Sequence, residues 1–244
     1  MIRKTKILLF FILLSSATMA QGWEYVNLRQ YRVKDMDAFT AFVKSAYPFF
    51  SQYKRIPNAG RFVSSGESGR IYGATYFTSM DQFTTYLKER GSMWDEYSKS
   101  PGNLAKSLED NTDGGVADVL WQVNKEVSLI PTGYDGSKMT WRKINFVTVK
   151  AGMMEDYLAL LKKVLEAETK AGITYTALVF SVAYGAPTNT LLLSLPSTSS
   201  LDYYTGLAAR QKVREANPEI LAMRRKMTAL TTNTLIDQLT TIAY

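Results

Sequence analysis

Arg29 is the side chain whose surroundings are most constrained by the sequence. In WEYVNLRQYRV, from Trp23 to Val33, Asn27, Arg29 and Tyr31 alternate with Val26, Leu28 and Gln30, which is the period of a strand. Asn27, Arg29 and Tyr31 therefore share a face. A guanidinium on the inner face of a central strand demands a partner, because a buried charge is strongly unfavourable unless paired. Two partners answer the requirement. One is Asp118, in the extended run VADVLWQV, if that last strand lies beside the first; the other is an anionic ligand.

What the chain lacks narrows the chemistry further. It has no histidine and no cysteine. Ser-His-Asp and Cys-His nucleophiles are therefore impossible, and so are disulfides and thiolate chemistry. Zinc loses its two usual ligand types, and the remaining carboxylates and carbonyls favour hard ions such as calcium or magnesium, for which no D-x-D-x-D-G loop is present. No glycine-rich loop leads from a strand into a helix, and GESGR, residues 66–70, reads as a hairpin turn. No cofactor and no metal are expected.

The elements that position these residues come in two similar sets. WEYVN at 23–27 returns as WRKIN at 141–145, an offset of 118, and the same offset pairs Val26 with Ile144, Leu28 with Phe146 and Phe39 with Tyr157. Each strand is followed by a helical stripe: Met36, Phe39, Val43, Ala46 and Phe50, then Met154, Tyr157, Leu158, Leu161, Val164 and Leu165. Pro48 lies inside the first pattern and predicts a kink near Tyr47. Next come two hairpins, RFVSS-GESG-RIYGATYF and YTALVFSVAY-GAPTN-TLLLSL. Second helices begin at TSMDQF and TSSLDY, further helical segments at Pro101 and Pro218, and last strands at Val116 and Leu235, placing Asp118 opposite Asp237.

The order in both halves is β-α-β-β-α-β. This is an α+β class, in which an antiparallel four-stranded sheet has helices on one face and an uncovered second face. Val26 and Leu28 are expected toward the helices, with Trp23, Tyr25, Asn27, Arg29 and Tyr31 on the face that the two sheets share. The halves run 21–124 and 139–244, joined by a connector at 125–138 that contains Pro131, Gly133 and Gly136.

Residues 1–20 read as a signal peptide: basic Arg3, Lys4 and Lys6, the apolar run Ile7 to Leu14, and small residues ending at Ala20. The apolar run is too short to span a membrane, which needs roughly 20 residues, and the absence of cysteine excludes a lipid anchor. A periplasmic or secreted protein follows, with no membrane span after the leader is removed. Without residues 1–20, 26 Lys and Arg face 22 Asp and Glu, a net charge of +4. Arg224, Arg225 and Lys226 read as a solvated helix face, and no nucleic-acid partner is expected.

The openings WEYVNLRQYRVKDMDAF and WRKINFVTVKAGMMEDY, with the junctions TSMDQF and TSSLDY, make the chain resemble the dimeric α/β-barrel superfamily, duplicated within one chain and most similar to exported bacterial members. That group includes antibiotic-biosynthesis-type monooxygenases and EthD-like, NIPSNAP-like and chlorite-dismutase-like proteins. The resemblance implies two ferredoxin-like repeats packed sheet to sheet. Haem held through a histidine, as in the chlorite-dismutase-like branch, is excluded here. The cofactor-free branch works in a pocket between sheet and helices, where Asn, Trp, Tyr and Arg side chains orient an electron-rich substrate. The residues matching that pocket are Asn27, Arg29, Tyr31, Tyr72, Tyr76, Trp141 and Asn145, with Asp118 beside Arg29. Val147 and Val149 stand where the first half has Arg29 and Tyr31, so the first half is expected to supply the polar end.

Two functional readings follow. One is a binding or structural module for a small molecule, anionic or aromatic, without catalysis. The other is a cofactor-independent monooxygenase or isomerase acting on a small aromatic or polyketide-like substrate. Monomer and homodimer are both compatible with a chain that supplies its own partner.

Overall fold

A computed structural model describes residues 22–53, 55 and 60–242. The signal-peptide assignment lies outside these residues. The first half runs β1 (Tyr25–Val33), α1 (Met36–Ser51), β2 (Gly60–Gly66), β3 (Arg70–Phe77), α2 (Met80–Ser98), α3 (Ala105–Asn111) and β4 (Thr112–Val123). The second runs β5 (Trp141–Val149), α4 (Met154–Lys170), β6 (Leu178–Tyr184), β7 (Thr190–Ser197), α5 (Ser200–Glu215), α6 (Pro218–Ala229) and β8 (Thr231–Thr241). The strands close an antiparallel barrel in the order β1-β3-β2-β8-β5-β7-β6-β4.

Local chemistry sets the helix boundaries. Asp35 caps α1, its carboxylate accepting from the backbone N–H of Asp37 and of Ala38. Ser79 and Ser199 cap α2 and α5 by accepting from the N–H three residues on. Pro218 occupies the first turn of α6, where its missing N–H has no partner to lose. Pro101 behaves differently: it lies in a turn, and α3 starts at Ala105. α1 continues through Pro48 to Ser51 and buries Phe39, Phe42, Val43, Ala46 and Phe50 against the sheet.

The faces of β1 are the reverse of the expected ones. Val26 and Leu28 point into the barrel, where they pack with Tyr72, Ala74, Val119, Trp121, Ile144 and Phe180 from both halves. Tyr25 and Tyr31 pack on the helix side, with α1 and α2. The reason is that the lumen is enclosed by sheet on every side. It collects aliphatic and ring carbon, each fully buried side chain contributing about 1.5–3 kcal/mol. On the helix side the Arg29 side chain stays 18% exposed and its partner Asp118 40%, so the charged groups keep contact with water.

Closure rests on short seams. β2 and β8 pair over three positions, Ser64 to Gly66, and β4 and β6 over four, whereas β1 and β3 pair over eight. Both seams need glycine. A Cβ at Gly66 would lie 2.5 Å from a carboxylate oxygen of Asp237, and one at Gly185, whose φ is +92°, would lie 2.6 Å from the carbonyl of Asp118. Residues 125–138 are more than a tether: 3-10 turns form at Lys125–Val127 and Gly136–Lys138, and Val127 is buried against α4.

Candidate functional site

The sequence-derived site residues occupy three compartments. Asn27, Arg29, Tyr31 and Asp118 meet on the helix side of the first half. Arg29 Nη2 lies 3.0 Å from Asp118 Oδ2, Asn27 Nδ2 donates to Asp118 Oδ1 at 2.6 Å, and Arg90 adds a second guanidinium at 3.5 Å. Burial alone works against the charge of Arg29, but Tyr86, Tyr31 and the Asp118 carboxylate outweigh it and raise its pKa. Burial also raises Tyr31, partly offset by Arg29. The cavity beside this group measures about 40 Å³, room for ordered water and little more.

Tyr72 and Tyr76 face the lumen and do not reach Arg29. Tyr72 donates to Asp237 at 2.8 Å, and its pKa is raised by burial and then by that carboxylate. Tyr76 stacks on Trp23 with ring centroids 4.2 Å apart. Asp237 also accepts from the backbone and side chain of Ser68, so it lies inside the barrel end while Asp118 lies outside the barrel. Their expected equivalence does not hold: Asp118 pairs with Arg29, whereas Asp237 pairs with Ile144. The lumen retains a cavity of about 30 Å³.

Trp141 and Asn145 belong to the helix side of the second half, where the largest of these cavities lies. It measures about 220 Å³ between the outer face of β5 and β7 and the helices α4, α5 and α6. Its walls are largely apolar, including Leu161, Val164, Leu193 and Leu207, and its polar side chains are Lys143, Asn145, Tyr175, Tyr203 and three arginines. Asn145 Oδ1 is buried and has no hydrogen-bond partner among the described residues. Trp141 backs Tyr203 at 4.8 Å.

At one side of this cavity Glu168, fully buried, accepts from Arg214 Nε at 2.7 Å and Nη2 at 3.1 Å, from Arg224 Nη1 at 2.7 Å and from the Tyr175 hydroxyl at 2.7 Å. Desolvation pushes the Glu168 pKa upward, but Arg214, Tyr175 and Arg224 reverse the balance and hold it below the usual glutamate range. Burial, then Glu168, raises Tyr175. Burial also raises Tyr203, and it lowers Arg210. Arg210 stands 5.0 Å over the Tyr175 ring and 5.4 Å over Tyr203.

Sequence reasoning placed none of Lys143, Glu168, Tyr175, Tyr203, Arg210 and Arg214 in a site. A signal was present. Leu161, Leu165 and Glu168 continue one helical stripe, as do Tyr203, Leu207, Arg210 and Arg214, so charges occupy positions where the period asks for apolar residues. Arg224, read as part of a solvated face, is half-exposed and bonds Glu168.

The site does not suit haem bound through histidine, because the chain has none. Among the described residues, no three acidic side chains converge as a metal site, and no helix is long and apolar enough to cross a membrane. No protein-family profile matches the chain, and no curated protein matches it. Solved structures do. A candidate monooxygenase from Fusobacterium nucleatum subsp. nucleatum ATCC 25586 superposes with a TM-score of 0.61 at 12% identity, covering 91% of this chain and 94% of that one. An anthrone oxidase-like protein gives 0.60 at 10% identity, covering 92% and 93%. A chlorite dismutase from Candidatus Nitrospira defluvii gives 0.52 at 11% identity, covering 93% and 95%. The chain shares with these proteins the α+β fold of a dimeric α/β barrel, here an eight-stranded closed barrel within one polypeptide.

Proposed function

We propose that this chain is an exported small-molecule-binding barrel protein without catalytic turnover, and that its ligand occupies the second-half cavity. The observation that carries the reading is the cavity itself, which joins apolar walls to an excess of positive charge in about 220 Å³. A dry cavity of about 150 Å³ already admits benzene. General acid–base catalysis is most efficient with a group poised near neutral pH. Glu168 is held too acidic and has its oxygens occupied, and the cavity tyrosines are pushed up and stay protonated.

Native mass spectrometry of the purified protein tests this. A bound small molecule is expected, and Leu207→Trp, which fills the cavity from α5, should release it. Retention by the variant would move the ligand elsewhere. Absence of both an adduct and any thermal shift with naphthalene-sized probes would sink the reading.

A second reading, a cofactor-independent monooxygenase or isomerase acting on a small aromatic or polyketide-like substrate, is supported by the candidate monooxygenases and the anthrone oxidase-like protein among the structural neighbours. Anthrone and dissolved oxygen would give anthraquinone and water. Product formation above the buffer rate, lost in Leu207→Trp, would favour this reading over plain binding.

A further inference from the structure

Glu168 can neutralise only part of the charge around the second-half cavity. An ionised carboxylate offers about four lone-pair sites. Two N–H groups of Arg214, one of Arg224 and the Tyr175 hydroxyl fill them. Arg214 and Arg224 are thereby paired with the Glu168 carboxylate, each keeping further N–H groups. Arg210 and Lys143 are not: among the described residues neither has a carboxylate within 4.0 Å, and both are held over the ring of Tyr203, at 5.4 Å and 5.9 Å. Aromatic faces orient a cation without cancelling its charge.

Resting on the reading of this cavity as a ligand site, we infer that its ligand is an apolar, ring-containing carboxylate whose anionic group is received by Arg210 and Lys143 beside Tyr203. Arg210 supplies a planar fork suited to a carboxylate. Lys143, rising from β5 on the same face as Asn145, supplies a point charge from the sheet side. The Leu-rich walls take the rings. Glu168 acts as a positioning residue: it orients Arg214 and Arg224 and offsets one of their charges, which leaves Arg210 as the cavity guanidinium with no carboxylate partner among the described residues.

Equilibrium dialysis with 2-naphthoate and its neutral analogue 2-naphthamide separates this inference from the cavity reading. The wild type is expected to bind the carboxylate about tenfold or more tighter than the amide. Arg210→Gln should bring the ratio of carboxylate to amide affinity down to about one, and Lys143→Met should reduce that ratio in part. Leu207→Trp should remove binding of both probes. Equal binding of the two probes by the wild type, or a preference that survives in both Arg210→Gln and Lys143→Met, overturns the anion site while the cavity reading stands. Binding of neither probe overturns both.

Discussion

With Gln at position 168, Arg214, whose side chain is 7% exposed, would face a neutral amide in place of the carboxylate that holds it bidentately. Breaking one side of a buried pair costs about 3–5 kcal/mol, so Glu168→Gln should lower the melting temperature strongly at pH 7. The pH dependence has a definite sign. The folded pKa of Glu168 lies below its unfolded value, so its contribution is complete above the ordinary glutamate pKa of about 4.3 and fades as pH falls through the folded value. Scanning fluorimetry should therefore show the gap between wild type and Glu168→Gln narrowing as pH drops from 7 toward 3. A gap that widened would contradict the pairing. The first-half pair should be weaker. Arg29 and Asp118 are 18% and 40% exposed, and Arg90 shares the carboxylate, so a double-mutant cycle should return a coupling of about 1 kcal/mol or less. Asp118 was legible as the partner of Arg29 because strand adjacency alone brings them together. Glu168 was not, because its arginines arrive from two other helices, a juxtaposition that no local spacing encodes.

At the level of elements, alternation and helical period located the strands and helices, since each signal arises within one turn or one pleat. The direction each strand faces was not legible. Val26 and Leu28 satisfy a helix layer or a lumen equally well, and only barrel closure decides between them. Pro101 and Pro218 carry the same local signal, yet only Pro218 opens a helix. Pro48 offers a direct test of helix propensity against context. It is exposed within α1 and supplies no N–H to the turn before it. Pro48→Ala should stabilise the protein by about 1–3 kcal/mol in urea titrations with unchanged slope. Destabilisation would mean that the shape of α1 over the first-half cavity depends on the proline.

Over the whole molecule, two halves with the same element order each present one sheet face to a shared lumen. We read this arrangement as a duplicated ferredoxin-like unit that supplies its own partner. Export belongs to this scale too: the protein expressed with its native leader should show the mass expected after loss of residues 1–20, and recovery of the full-length chain would refute cleavage. The short β2–β8 seam has a consequence for the folding reaction. Its contacts join residues about 175 positions apart, as between Ser65 and Thr240, whereas most other pairings form within a half. Loop-closure entropy delays such contacts, so each half should condense first and the ring should shut last. If the ring shuts after the rate-limiting step, a truncation at the seam, Leu239→Ala, should speed unfolding and leave the refolding rate nearly unchanged; an equal slowing of refolding would mean that closure belongs to the rate-limiting step.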